Sequence, residues 1–164
     1  MDVNTQDLLK RFLEGKEEDI VNEATRRLRE SDNEHYREME TIDLRPRVAG
    51  LYEALMQSVI AEDPGVVEGF MAEVGLQRLR QGYDLRELQF SVNNLDTVIW
   101  ETARADFAEY GEAAFKALDR LSNAVGWAKD RLALVCLDET LATEAKLREL
   151  DDLFNDYLSK RKEV

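Results

Sequence analysis

A signal that ends a helix lies directly before one that starts a helix in the nonapeptide RQGYDLREL, residues 80–88. Gly82 suits the left-handed conformation that commonly follows the last turn of a helix. Asp84 and Glu87 have the spacing of a capping box, here led by aspartate, which fixes the first turn of the next helix. A connection this short forces the chain to turn sharply, and it places Tyr83 where two helices meet.

Long helical periodicity follows this turn. Apolar side chains repeat at helical spacing from Asp84 to Tyr110, a length of about 40 Å as a helix. Gly111 interrupts the pattern, and a second apolar periodicity runs from Phe115 to Val135. Because only a short turn joins the two helices, they are predicted to run back along each other as a long antiparallel hairpin.

Shorter helices are predicted before the turn. Thr5 is predicted to cap the first helix, and Gly15 is expected to separate it from the second. The polar stretch from Ser31 to Asp43 lacks a clean period, which predicts the longest irregular connection of the chain. The predicted helices cover residues 5–13, 16–30, 43–60 and 64–79, with Thr41 as an alternative start for the third.

The composition supports a single all-α domain. Apolar residues make up 44% and charged residues 35% of the 164 residues, with only two prolines. This balance is too apolar for a disordered chain, and it is rich in the residues that favour helices. The predicted fold class is therefore all-α.

The charge of the chain limits its partners. The net charge is −13 at neutral pH, and an excess of this size repels phosphate backbones and anionic lipids. Neither nucleic acid nor a membrane is an expected partner. No uncharged apolar stretch approaches the roughly 20 residues that span a bilayer, and the acidic N-terminus lacks the pattern of a signal peptide. A cytoplasmic protein is predicted.

Residues for metal or nucleophilic chemistry are scarce. His35 is the only histidine, so histidine-based zinc sites, di-iron sites, haem ligation and catalytic triads have little support. No catalytic residue, metal or cofactor is predicted. His35 is expected to be solvated or locally hydrogen-bonded, with a pH-sensitive contact as the alternative. Cys136 lies in an apolar run and is predicted to be a buried, inert thiol.

Two aromatic residues are candidates for a ligand pocket near the turn. Tyr83 and Trp100 have large side chains of the kind that line cavities. Aromatic residues at helical spacing are, however, more often plain core. The sequence leaves both alternatives open.

A separate apolar pattern occupies the C-terminal segment. Leu147, Leu150, Phe154 and Tyr157 are spaced three, four and three residues apart, as in the seam of a coiled coil. They are predicted to form a dimer seam or an output seam. A terminal helix that packs on its own domain would show the same spacing, and this alternative also stays open.

The segment RLRQGYDLRELQFSVNNLDTVIWE, residues 78–101, resembles the signature of the N-terminal domain of RsbR-type stress-response co-antagonists. Members carry an arginine, a Gln-Gly turn, an acidic cap and a long helix that ends near Ile-Trp. The resemblance extends more loosely over residues 5 to about 137. The residues that match the pattern are Arg80, Gln81, Gly82, Asp84, Leu85, Leu88, Leu95, Ile99, Trp100 and Glu101.

The resemblance implies a bacterial sensory domain without haem, with a globin-like or helical-bundle fold. Such a domain would form a homodimer through its long hairpin and pass a signal along a C-terminal linker helix to an output module or partner protein. Residues 1–137 would be the sensory domain and residues 138–164 the linker or coiled-coil helix. A fragment of a longer protein and a stand-alone protein both fit this interpretation.

Two alternatives of other classes remain at this point. One is a small-molecule-binding or enzymatic helical protein with a pocket near the corner from Gly82 to Asp84. The other is a ligand-free interaction scaffold whose acidic face binds a basic partner, which would make binding depend on salt concentration.

Overall fold

The structure is a computed structural model that describes the backbone of residues 4–162 and the side chains of residues 4–155. This described part forms six α-helices and no strands, so the prediction of an all-α fold is confirmed. The helices are α1 (Thr5–Arg29), α2 (Glu34–Glu38), α3 (Thr41–Ala61), α4 (Pro64–Arg80), α5 (Leu85–Phe107) and α6 (Gly111–Lys162).

The predicted hairpin is formed by α5 and α6. Helix α5 ends at Phe107, and the chain reverses through a short turn to Gly111, whose φ of 51° lies in the left-handed region that suits glycine. Lys129 Nζ lies 3.4 Å from Asp96 Oδ2, which joins the middle of α5 to α6. The second helix is longer than the apolar pattern indicated, since α6 has 52 residues.

Gly15 does not interrupt the first helix, so the prediction of two separate helices was wrong. Helix α1 is continuous, and it begins after Asn4, whose side chain accepts a hydrogen bond from Gln6 N, rather than with Thr5 as cap. A glycine inside a helix costs about 1 kcal/mol. Buried side chains on both sides of Gly15, among them Phe12 and Ile20, outweigh that cost by packing on one continuous face.

The polar stretch 31–43 is more ordered than its composition indicated. It contains α2 and the first turn of α3, which begins at Thr41. Tyr36 explains the difference, because its ring is buried and lies 5.6 Å from the ring of Tyr83 across the molecule. A tertiary contact therefore orders a segment whose sequence carries almost no helical period.

The core lies between α1, α3, α4, α5 and the first half of α6. Tyr52 of α3 is almost fully buried, and its hydroxyl donates to the Leu13 carbonyl of α1 at 2.9 Å. Asn94 of α5 is also buried, and its Nδ2 donates to the Ala24 carbonyl at 2.8 Å. The largest fully buried side chains include Leu9, Ile20, Leu28, Leu44, Leu55, Leu95, Ile99 and Leu132.

The second half of α6 extends beyond the core. From Leu137 to Asn155 the side chains are exposed, with Glu139 half-exposed. Leu147, Leu150 and Phe154 are 60%, 61% and 61% exposed, and the side chain of the fourth seam residue, Tyr157, lies outside the described residues. Within the described side chains, these three seam residues therefore do not pack against their own domain, and a seam between chains stays a prediction.

The capping box at the start of α5 is present as predicted. Asp84 Oδ1 accepts from Glu87 N at 2.8 Å, and Glu87 Oε2 accepts from Asp84 N at 3.1 Å. Asp84→Ala should therefore lower the free energy of unfolding by about 1 kcal/mol, measured by urea denaturation. Asp84→Asn is the control and should stay close to the wild type, since asparagine caps helices equally well; an equal loss in both variants would contradict the capping role.

Candidate functional site

A cavity of about 60 Å³ lies between the first five helices. Leu28 comes from α1, Leu44 and Val48 from α3, Met71 from α4 and Leu88 from α5, so hydrocarbon forms most of the wall. Polar groups on the wall belong to Tyr36, Arg47, Arg78 and Ser91. The site is therefore apolar, with a few polar side chains, as is usual for small-molecule sites.

Two half-buried arginines meet at one end of this cavity. Arg47 Nη1 donates to Tyr83 Oη at 3.4 Å, and the Arg78 guanidinium lies 5.8 Å from the centroid of the Tyr83 ring. Arg78 Nη1 also donates to Gln81 Oε1 at 2.6 Å. Burial lowers the pKa of Arg78, and the positive charge of Arg47 lowers it further. The two charges thus repel each other in a partly desolvated place.

Neither arginine is neutralised by a carboxylate within the described side chains. The ion pairs of that part of the chain involve other arginines and lysines. Glu87 lies near the two arginines, but its Oε1 accepts from His35 Nδ1 at 2.8 Å and its Oε2 accepts from Asp84 N. The end of the cavity therefore carries two positive charges without an ionic partner.

Tyr83 is the centre of an aromatic cluster beside the arginines. It is buried, the ring of His35 stacks on it at 4.2 Å between centroids, and the ring of Tyr36 lies 5.6 Å away. Burial raises the pKa of Tyr36 to about 12, further above physiological pH than its ordinary value. The hydrogen bond of His35 is not the predicted local one, because its partner Glu87 lies 52 residues later on α5; a pH-sensitive role for this contact stays a prediction.

The corner formed by residues 81–84 positions this cluster. Gly82 has a φ of 95°, and the Tyr83 amide donates to the Arg78 carbonyl at 3.1 Å, which closes the last turn of α4. This geometry is the left-handed helix ending that the sequence predicted. It turns the chain so that Tyr83 lies over the end of the helix that carries Arg78.

Helix α4 connects the cavity to α6. Gly75 lines the cavity, and a Cβ atom placed on it would lie 3.0 Å from Leu132 Cδ1 and 3.8 Å from Val135 Cγ1 of α6. One turn later, Arg80 Nε donates to Glu139 Oε1 of α6 at 3.2 Å. One face of α4 therefore contacts the cavity while another lies directly on α6.

The family model described as "RsbT co-antagonist protein rsbRD N-terminal domain" matches residues 18–152. The chain belongs to this family. Domains of this family are regulatory parts of stressosome signalling and are not known as catalysts. Neither the curated proteins nor the solved structures show a match to the chain.

The resemblance of the segment 78–101 to this family is thus confirmed, and the contacts of its charged residues explain part of the motif. Asp84 caps α5, and Arg80 pairs with Glu139 across α4 and α6. Arg27 Nη2 of α1 donates to Glu101 Oε2 at 2.6 Å, and the Arg27 guanidinium lowers the pKa of Glu101. In the RsbRD-type domain, Arg80 and Glu101 of the motif thus join the hairpin to the rest of the bundle.

The two predicted pocket residues of this RsbRD-type domain lie in different places. Tyr83 contacts three residues of the cavity wall, at the end where the arginines meet. Trp100 is half-buried on α5, and it follows the wall residue Ser91 by about 14 Å along the helix axis. The structure brings Tyr83 to the cavity but not Trp100, and ligand binding at either residue stays a prediction.

The sequence reasoning missed Arg47 and Arg78 as site residues. Each lies in a helix beside apolar residues. In the sequence, this position is the only indication that the charged side chain faces inward. Their proximity depends on the packing of α3 against α4, which no spacing in the sequence reveals. The site therefore had to come from the tertiary structure.

Other chemistry has little support in the described part of the RsbRD-type domain. No group of three or more His, Cys, Asp and Glu side chains is arranged there to hold a metal ion. None of its helices combines the length and apolar character needed to cross a bilayer. Cys136 is half-exposed rather than buried, so that prediction was wrong; it lies where α6 begins to extend beyond the core.

Proposed function

We propose that this chain is a non-catalytic regulatory domain of bacterial stress signalling that forms a homodimer and passes a signal along α6 to an output module or partner protein. The observation that carries the proposal is the exposed apolar stretch of α6. Leu147, Leu150, Leu153 and Phe154 are all more than half exposed in the single chain. Apolar groups clustered in this way usually mark a surface that binds another protein.

A second copy of the same chain fits this stretch. With Leu147 and Phe154 at position a and Leu150 at position d of a heptad, Lys146 occupies position g and Asp151 position e. In a parallel pair of helices, position g of one chain faces position e of the other five residues later. Lys146 and Asp151 would then attract each other across the dimer, which supports a parallel arrangement.

The stability of α6 also supports a dimer. An isolated helix in water is marginal unless an apolar face is packed, and the described side chains of α6 from residue 137 to residue 155 have no such packing in the single chain. Pairing with a second α6 supplies the missing contacts. The paired segment continues the helix that contacts α4. A movement of α4 would therefore shift α6 and change the geometry of the seam between the two chains.

The homodimer is tested by Leu150→Lys in the full chain. Burial of one leucine contributes about 1.5–3 kcal/mol, and a dimer buries two, so the dissociation constant should rise by about a hundredfold or more. Native mass spectrometry and sedimentation velocity over a concentration series measure this change. Circular dichroism should still show the helices that form the core, because Leu150 is exposed in the single chain and does not contribute to that core.

Ala145→Lys is the matched control. Ala145 is exposed on the same part of α6, but it occupies position f of the heptad, which faces away from the seam. The dimer should persist in this variant. A wild-type chain that stays monomeric at all concentrations, or a Leu150→Lys chain that dimerises like the wild type, would contradict the proposed seam.

A further inference from the structure

The cavity has an electrostatic property that the regulatory function does not explain. The chain has 35 acidic and 22 basic residues, yet Arg47 and Arg78 face the same small space without a carboxylate partner in the described part of the chain. Both arginines contact the same residue, Tyr83, and the fold holds them there although their charges repel each other. An anion placed between them would replace this repulsion with charge-assisted hydrogen bonds.

The remaining wall determines which kind of anion fits. Leu44, Val48 and Met71 present hydrocarbon next to the arginines. Tyr36 and Ser91 are the other polar side chains of the wall, and the Ser91 hydroxyl already donates to the Leu88 carbonyl at 2.8 Å. A multiply charged phosphate would leave several oxygen atoms against hydrocarbon, which is unfavourable. A carboxylate has two oxygen atoms, and the planar guanidinium group matches them.

The size of the cavity limits the ligand further. A cavity of roughly 150 Å³ holds a benzene molecule, and the volume here is about 60 Å³. A short hydrocarbon chain therefore fits with small movements of the wall, whereas a long acyl chain or a nucleotide does not.

We infer that this cavity binds a short-chain carboxylate, whose carboxylate group lies between Arg47 and Arg78 and whose hydrocarbon chain lies against Leu44, Val48 and Met71. Tyr83 supports the site from outside the wall, because it accepts a hydrogen bond from Arg47 and stacks its ring near Arg78. Binding would draw the two arginines together, and thereby α3 and α4.

This inference rests on the proposed function only in its last step, which is the effect of the ligand on α6. Gly75 belongs to the cavity wall and lies directly against Leu132, so a change in the position of α4 changes its contact with α6. The ligand would then favour one of two arrangements of α4 on α6 by its difference in affinity for them.

The experiment titrates the full chain with sodium butyrate and follows backbone amide signals by NMR, with sodium chloride added to hold the ionic strength constant. The expected result is a saturable shift that is largest at the amides of Val48, Met71 and Arg78. Butyramide has the same shape without the charge, and it should bind at least about tenfold more weakly because it loses the charge-assisted bonds.

Variants test the two arginines separately. Arg47→Gln and Arg78→Gln should each weaken butyrate binding by about tenfold or more. Arg45→Gln is the matched control, since Arg45 is exposed on the same helix and donates to Asn22 Oδ1 at 2.8 Å, away from the cavity. It should bind butyrate like the wild type. If an arginine variant does not fold, the comparison of butyrate with butyramide on the wild-type chain decides the question.

Several results would overturn the inference. They are the absence of a saturable butyrate shift, equal binding of butyramide, equal weakening by Arg45→Gln, and tighter binding of inorganic phosphate at the same amides. The Leu150→Lys chain separates this inference from the proposed dimer. It should still bind butyrate saturably, so a loss of dimerisation and a loss of ligand binding are observed independently.

Discussion

Gly75→Leu is expected to lower the free energy of unfolding by about 3 kcal/mol, the upper end of the usual cost of overpacking a core. A Cβ atom at Gly75 would already lie 3.0 Å from Leu132 Cδ1, so a leucine side chain has no room. Leu132 is fully buried and cannot turn into solvent. For a chain of 164 residues, thermal denaturation followed by circular dichroism should show a midpoint about 10 °C lower.

Gly69 provides the control on the same helix. It is exposed, and a Cβ atom there would meet no other atom within 4 Å. Gly69→Leu should therefore stabilise the chain by up to about 1 kcal/mol, because glycine is a poor residue inside a helix.

Alanine substitutions at the same two positions give a finer comparison. Gly69→Ala should stabilise by about 0.5–1 kcal/mol, while Gly75→Ala loses this gain to the contact with Leu132. Equal effects at both positions would contradict the close approach of α4 to α6.

The contact at Gly75 also bears on the proposed relay of a signal to α6. Packed helices do not deform continuously, so two neighbouring helices tend to have a small number of discrete arrangements. Gly75 lets α4 approach α6 so closely that a Cβ atom there would lie 3.0 Å from Leu132 Cδ1, and Arg80 near the end of α4 pairs with Glu139 of α6. A variant that separates these helices should therefore change how binding at the cavity affects α6, even if the cavity itself remains intact.

Local signals predicted the parts of the fold that depend on a few neighbouring residues. The capping box at Asp84 and the left-handed Gly82 were found from the sequence, since each motif is complete within a few positions. Gly15 was misread for the opposite reason. A glycine predicts a helix end only when packing does not outweigh its cost, and the packing of α1 involves α3, α5 and α6.

The candidate cavity could not be predicted because its residues are far apart in the sequence. Arg47 and Arg78 come from different helices, and Tyr36 comes from the stretch that the sequence indicated as irregular. Tyr83 was recognised only because the turn itself places it at a junction of helices. The composition gives the chain a net charge of −13 at pH 7, whereas the uncompensated charge at the cavity is positive.

Asn94→Asp is expected to lower the free energy of unfolding by about 3 kcal/mol at pH 8. Asn94 is buried, and its Nδ2 donates to the Ala24 carbonyl at 2.8 Å, where a carboxylate oxygen would face another oxygen. Arg27, three residues after Ala24 on α1, already binds Glu23 and Glu101. Burial would therefore raise the pKa of the new carboxyl group, and about two units correspond to about 3 kcal/mol.

The pH dependence separates this explanation from a simple loss of a hydrogen bond. A folded-state pKa above the unfolded value of about 3.9 means that the folded chain holds more protons, so its stability falls as the pH rises. The loss relative to the wild type should be about 3 kcal/mol at pH 8 and about 2 kcal/mol at pH 5.5, which stays above the isoelectric point of about 4.6.

Asn94→Ala supplies the comparison, since it removes the donor without adding a charge. It should lose about 1 kcal/mol at both pH values, measured by urea denaturation. An Asp variant whose loss does not change with pH would show that residue 94 can reach solvent or a cation when it is charged. In that case the bond from Asn94 to Ala24 would be a surface contact, and the joint between α5 and α1 would rest on apolar packing and on the ion pair of Arg27 with Glu101.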